Sequence, residues 1–415
     1  MPNVASPRFI TAALLLLLAA CGHGMAAPAA EPKVFFVNYG IALTPGVDDA
    51  VVTIRIGKGA QHVRRLNFRI DPRRHTQLRA DGELAIEGNR AIWQPPARGG
   101  TLTLHAKINH QRRKGDYDAH INRAWAIFRG DDVIPAAKAR LAKGATSRAH
   151  LSFTLPPGWT NVDTGWPKGQ DGRFIIDNPQ RAFDRPVGWM IAGEVGTRRD
   201  QVGATELAVG APKGSGLHRM DVLTFLNFVW PEMEGAFDKV PPKLLVVGAG
   251  DPMWRGGLSS PNSMFLHADR PLVSENGTSA LLHELTHIVT RVRGQPKDDW
   301  IAEGIAEFYA GELLYRAGGM SDERHDKLRR WLQDWGKDVK SLRLDRSTGP
   351  VTARAAVLLQ DLDREIRRRT DDRRNLDDVV RKLMRIGKVS LDDLRAAAQE
   401  VIGGKATTLD SPLLR

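Results

Sequence analysis

The stretch His283-Glu284-Leu285-Thr286-His287, followed by Trp300-Ile301-Ala302-Glu303-Gly304, carries the most specific chemistry in the chain. Residues four apart on an α-helix stand one turn above each other on the same face, so His283 and His287 can both present ring nitrogens to one zinc ion. Glu284 then sits beside the metal without binding it, where it can take a proton from a water that the ion has acidified. Leu281, Leu285, Ile288 and Val292 recur at helical spacing as a core-facing stripe, which places the two histidines on a neighbouring face.

A catalytic zinc takes a third protein ligand and keeps one position open. Two glutamates compete for that role. Glu307 lies at the thermolysin-like interval from His287, whereas Glu303 is one helical turn closer. The run Trp300 to Ala306 resembles the third-ligand helix of gluzincin peptidases, in which the Glu before the Gly binds metal. That resemblance implies His283, His287 and Glu303 as ligands to one zinc per chain. It leaves Glu307 to hold a ligand histidine by its other ring nitrogen.

The flanks narrow the likeness to the glycyl aminopeptidase-like branch of the gluzincins. Leu155-Pro156-Pro157-Gly158-Trp159, Asp184-Arg185-Pro186 and the glycine-rich Gly256-Gly257-Leu258 match that branch, as do Asp363 to Thr370 and Leu376 to Val379. In this clan the glycine-rich segment forms an edge strand that pairs with an extended substrate backbone, so Gly256, Gly257, Leu258 and Ser259 are the implied substrate-binding residues.

Two departures from the branch bear on activity. The family strand continues with a Glu that holds the free amine of the substrate, and Ser259 stands in its place. A neutral hydroxyl forms no ion pair with an ammonium group, so the expected activity is that of an endopeptidase. The family also carries a tyrosine whose hydroxyl steadies the oxyanion, and alignment on Asp363 to Thr370 puts Thr352 there, with Arg354 at a family lysine. Tyr309 and Tyr315 share the Glu303 helix but are turned away from its metal face. Loss of one oxyanion donor costs about 10²–10³ in rate, which leaves a slow enzyme, a substitute such as Arg354 or His325, or a zinc-containing peptide-binding protein without turnover.

Arg8 precedes an apolar run from Phe9 to Ala20 that is too short for a transmembrane helix and suits a signal peptide. It ends Leu18-Ala19-Ala20-Cys21, which resembles a bacterial lipobox with Cys21 as the acylated residue. Cys21 is the one cysteine in the chain, so no disulfide is expected. Gly22 in the next position points to the outer membrane, by analogy with enteric sorting. The expected setting is the cell envelope, lipid-anchored and facing the periplasm. The partners are a peptide or protein substrate and the membrane that holds the anchor.

Removing residues 1–20 takes away only Arg8, so the net charge falls from +12 to +11. The basic clusters, such as Arg64-Arg65 and Arg367 to Arg369, are scattered and lack interleaved aromatics, so nucleic acid is not an expected partner. A composition of 42% hydrophobic and 26% charged residues supports several buried cores. Short alternating runs such as Val51 to Ile56 and Thr101 to His105, broken by Asp-Gly, Pro-Pro and Gly-Gly, read as β structure. Lys243 to Val247 reads as a buried strand, and Asn375 and Ser390 as helix N-caps. The expected fold class is α+β and multidomain. It comprises a lipoprotein signal peptide (1–20), a tether (21–32), an N-terminal β-sandwich (33–155), a thermolysin-like zinc metallopeptidase catalytic domain (156–345) and a C-terminal helical domain (346–415).

Overall fold

Alternation dictates the first half of the molecule. In Val34–Leu43 every second side chain is buried, so one face of the strand is committed to a core and its register is pinned. This strand pairs antiparallel with Ala50–Ile56 and parallel with Thr146–Thr154, at the centre of a six-stranded sheet. A four-stranded sheet, in the order Ala136–Leu141, Val63–Arg69, Arg90–Gln94, Glu83–Glu87, covers it. Val37, Ile54 and Leu104 of one sheet share a buried cluster with Leu66, Phe68 and Trp93 of the other, the pattern of a sandwich. The computed structural model describes residues 33–113, 115–178 and 181–415. The signal peptide, the tether and Cys21 therefore lie outside the described residues.

The β architecture runs past the boundary expected at Leu155. Phe174–Ile176 adds to the Thr146–Thr154 strand, and Trp189–Gly193 pairs with Trp125–Arg129 in a third sheet of five strands. Its strands Trp125–Arg129 and Trp189–Gly193 have buried side chains on both faces. Ala126, Phe128, Met190 and Ala192 point into the sandwich core, whereas Ile127, Trp189 and Ile191 point into a separate cluster with Leu245, Val247 and Phe265. A run that is buried throughout carries no period-two signal, which is why Trp189–Gly193 is not legible as a continuation of the β region.

The second of these clusters belongs to a five-stranded sheet ordered Val195–Val202, Thr205–Pro212, Lys243–Ala249, Ser263–His267, Gly257–Ser260. The middle three strands are parallel, and Gly257–Ser260 is an antiparallel edge. The strand expected at Lys243 to Val247 is there, buried along its whole length. A buried ion pair ties the two regions together, with Lys243 Nζ 2.8 Å from Asp163 Oδ1.

The helices Ala280–Thr290, Asp299–Arg316 and Pro350–Arg369 pack beside this sheet. The first is capped by the Ser279 hydroxyl, which accepts the Leu282 amide at 3.3 Å, and Leu281, Leu285 and Ile288 fall on its buried face. Asn375 and Ser390 both form capping boxes, each closed by an aspartate three residues on. The residues expected to form a separate C-terminal domain have no core of their own. Leu359, Ile366, Leu383 and Leu394 share one cluster with Leu285 and Ile305, because an amphipathic helix must bury its stripe on a neighbour. Among the described residues no helix is long and apolar enough to cross a membrane.

Candidate metal centre

The two histidines and Glu303 converge where two helices face each other. His283 Nε2 lies 3.3 Å from His287 Nε2, and Glu303 approaches them with Oε2 at 3.5 Å from the first and Oε1 at 3.4 Å from the second. A tetrahedral ion with ligands at about 2.1 Å has ligand–ligand edges of about 3.4 Å. The spacing of the two ring nitrogens, with one Glu303 oxygen near each of them, thus matches the ligand spacing of a tetrahedral zinc site. Among the described residues this is the single such group of histidine, cysteine and carboxylate side chains. Two imidazoles and a carboxylate are also the donor set that suits zinc chemically.

Glu303 reaches this position because Gly304 follows it. A Cβ on Gly304 would stand 2.9 Å from the Ala355 Cβ, so glycine lets helix Pro350–Arg369 close onto helix Asp299–Arg316. One turn beyond, Glu307 Oε2 accepts a hydrogen bond from His283 Nδ1 at 2.9 Å. That contact holds the ring with Nε2 turned to the centre and raises its basicity as a ligand. The two glutamates differ in reach: Glu303 meets both Nε2 atoms and Glu307 meets Nδ1.

Electrostatics make the centre a cation trap. Burial disfavours charge on His283, yet hydrogen bonds to Glu303 and Glu307 and the nearby Glu284 push its pKa up to about 10. Burial and the positive charge on His283 push His287 down. Burial also opposes charge on Glu303, but the His283 hydrogen bond and the histidine charges hold it below its usual range. Without a metal ion, one proton on His283 therefore balances the carboxylates, and an ion would displace it.

Glu284 points from the same helix to the edge strand. The Ser259 amide donates to Glu284 Oε2 at 2.8 Å, so the edge strand holds this carboxylate by one oxygen. Gly257 permits this approach, since a Cβ there would lie 3.3 Å from the Glu284 Cγ. Gly256 is excluded from carrying any side chain by the Trp254 ring, 2.1 Å from a built Cβ. The strand is held from behind by residues that no motif announces. Trp189 donates its indole N–H to the Leu258 carbonyl at 2.9 Å, and Arg291 donates to the Asn262 side chain at 2.9 Å from the far end of the zinc-motif helix. Trp189 lies in the third sheet, so the β region buttresses the edge strand.

Three of the four tyrosine hydroxyls are bonded away from the centre. Tyr309 donates to Asp377 at 2.6 Å, Tyr315 to Asp322 at 2.8 Å and Tyr39 to the Asp184 carbonyl at 2.7 Å. Tyr117 pairs its backbone with Pro252 and Trp254 and sets its ring 4.8 Å from that of His120, tilted by 47°. Thr352 is buried on the face of its helix shared with Leu359, which packs at Gly304. Its side chain is too short to act as the phenol does. Arg354 is turned about 140° from Leu359 and lines a cavity of about 350 Å³ with Val357, Asp361 and Thr408. His325 faces Glu312 at 3.4 Å and stacks on Tyr315. Glu312 is about 13 Å along the helix from Glu303. Neither Arg354 nor His325 supplies the substitute donor considered above. His75 and His267 are buried elsewhere, His75 between the Asp71 amide and the Asp132 carbonyl.

Solved structures with this arrangement of elements include an aminopeptidase N family protein from Idiomarina loihiensis, at 16% identity and a TM-score of 0.62, over 90% of this chain and 72% of that one. An M1 zinc metallopeptidase from Deinococcus radiodurans aligns over 92% of this chain and 93% of its own, at 14% identity and a TM-score of 0.55. A mutant of that enzyme bound to Tyr-Ser-Ala substrate aligns at 15% identity and 0.57. The shared feature is the fold. No family model matches the chain, and no curated protein matches it by sequence. The likeness covers both the β region and the zinc-motif helices, so the two are parts of one shared architecture.

Proposed function

We propose that this protein is a zinc-dependent peptidase of the gluzincin type that hydrolyses extended peptides in the bacterial cell envelope. The observation that carries this reading is the donor triangle of His283, His287 and Glu303 with Glu284 held beside it by the edge strand. Zinc bound there would supply Lewis acidity at the scissile carbonyl and lower the pKa of water at the centre. Glu284, with one oxygen fixed by the Ser259 amide, accepts the proton of the attacking water and returns it to the leaving amine. Glu307 keeps the His283 ring in its ligating tautomer. Gly257–Ser260 offers its open edge to the substrate backbone, with Gly256 to Ser259 as the binding residues.

Ser259 supports an endopeptidase rather than an aminopeptidase, because no carboxylate at that position pairs with a free amine. Cys21 supports a lipid anchor, and with Gly22 an outer-membrane location. The fold of the neighbours supports a thermolysin-like catalytic unit around the zinc-motif helices. A second reading, a zinc-containing peptide-binding lipoprotein with little or no turnover, draws on one observation: Tyr39, Tyr309 and Tyr315 are engaged elsewhere, and Thr352 stands at the family tyrosine.

Cleavage of a mixed peptide library by the zinc-loaded protein, with and without a chelator, separates the two. Chelator-sensitive cleavage at internal bonds, lost in Glu284→Gln, supports the peptidase. Peptide binding with no cleavage establishes the second reading instead.

A further inference from the structure

We infer that the outward face of the four-stranded sheet is a docking surface for an anionic lipid bilayer. Leu66, Phe68, Ala91 and Trp93 send one face of this sheet into the sandwich core. Alternation then turns Arg65, Arg69, Arg90, Lys138 and Arg140 to the other side. Register brings like charges together, with Arg65 directly opposite Arg140 and Arg69 directly opposite Arg90. Such pairs are destabilising within the protein. No carboxylate of the described residues forms an ion pair with any of the five. The acidic residues of this face, Glu83 and Glu87, are confined to the outermost strand, where Glu87 stands directly opposite Arg90, and the other four basic residues have no carboxylate opposite them.

The charge bias is built into the sequence. Residues 50–70 and 133–162 contain no Asp or Glu, while they carry nine Lys and Arg. These segments meet where the described chain begins. The Thr146 amide donates to the Lys33 carbonyl, the Ala142 amide to the His62 carbonyl, and Arg65 and Arg140 sit at this end of their strands. Lys33, Lys58 and Lys143 are exposed around the same end. Residues 21–32 join Lys33 to Cys21, and a fully extended twelve-residue chain spans at most about 40 Å. An acyl anchor at Cys21 would keep this end of the sheet within reach of lipid headgroups. The face carries no aromatic side chain, so it offers charge without the stacking that single-stranded nucleic acid requires. Each Lys or Arg near an anionic bilayer contributes about fivefold in partitioning.

The orientation rests on the lipid-anchor reading, but the face is tested without it. Residues 33–415 form a compact unit that contains every buried cluster described. This unit should sediment with vesicles containing phosphatidylglycerol and not with pure phosphatidylcholine, with binding falling steeply as salt rises. Replacing Arg65, Arg69, Lys138 and Arg140 together by Gln should weaken binding by on the order of several hundred-fold and leave zinc content unchanged. The milder variant Arg140→Gln should keep the fold, weaken binding about fivefold and leave the melting temperature equal or higher, since it relieves a like-charge pair. Equal binding to both vesicle types, or full binding by the four-fold variant, overturns the proposal. Failure of lipid labelling at Cys21 would refute the anchor alone.

Discussion

Removing Glu303 and removing Glu307 should weaken metal binding by different amounts, and the order tests the whole reading of the centre. Zinc sites with four ligands bind with apparent free energies of about 10–16 kcal/mol, so one ligand is worth about 2.5–4 kcal/mol, or about 10²–10³-fold in affinity. Glu303→Ala removes the carboxylate 3.4–3.5 Å from both Nε2 atoms and should cost that much. Glu307→Ala removes only the 2.9 Å hydrogen bond to His283 Nδ1, a loss of about 10–100-fold or about 1.4–2.7 kcal/mol. Glu307→Gln, which still offers an acceptor, should fall between wild type and Glu307→Ala. Competition with a chromophoric chelator measures each constant. The metal-free centre holds a proton on His283, whose pKa is pushed up to about 10, so apparent affinity should rise tenfold per pH unit across neutral pH. The same shift means that the metal-free protein gains stability from His283 below its unfolded pKa of about 6.5 and loses it as pH rises towards about 10. A larger loss for Glu307→Ala than for Glu303→Ala would show that the ligand is Glu307. An affinity flat with pH would show that His283 carries no proton to displace.

Four further outcomes are expected. Glu284→Gln should retain zinc and bind peptide but lose most hydrolysis, since an amide accepts no proton; undiminished turnover would exclude Glu284 as the base. Acetylating the substrate amine should cost little, whereas Ser259→Glu should shift preference towards free N-termini by a contact worth about 1.5–3 kcal/mol. A wild-type preference for unblocked peptides, read from kcat/KM, would contradict the endopeptidase assignment. Gly257→Ala places a Cβ 3.3 Å from the Glu284 Cγ and should lower kcat by about tenfold with zinc affinity intact; a parallel loss of zinc would mean that the strand supports the metal itself. Cys21→Ser should abolish labelling with radioactive fatty acid, and a wild-type mature N-terminus near Ala30 would refute lipidation.

The sequence alone determined the parts whose chemistry is local. Four-residue spacing puts His283 and His287 on one helix face wherever that helix lies. Period-two alternation marks Val51 to Ile56 and Thr101 to His105 as strands, and Asn375 and Ser390 cap their helices with atoms three residues away. Tertiary structure alone decided what depends on contacts between distant segments. Glu303 and Glu307 sit one turn apart on the same face, and only the packing of one helix on another sends the first to Nε2 and the second to Nδ1. The Ser259 amide that holds Glu284 is a backbone group, and the backbone carries no sequence signal. Trp189 reads as a core residue, and its hold on the Leu258 carbonyl arises because the third sheet packs against the edge strand. The displaced boundary has the same origin. Trp189–Gly193 is buried on both faces, which erases the alternation that would have assigned it, and only its hydrogen bonds to Trp125–Arg129 show where it belongs.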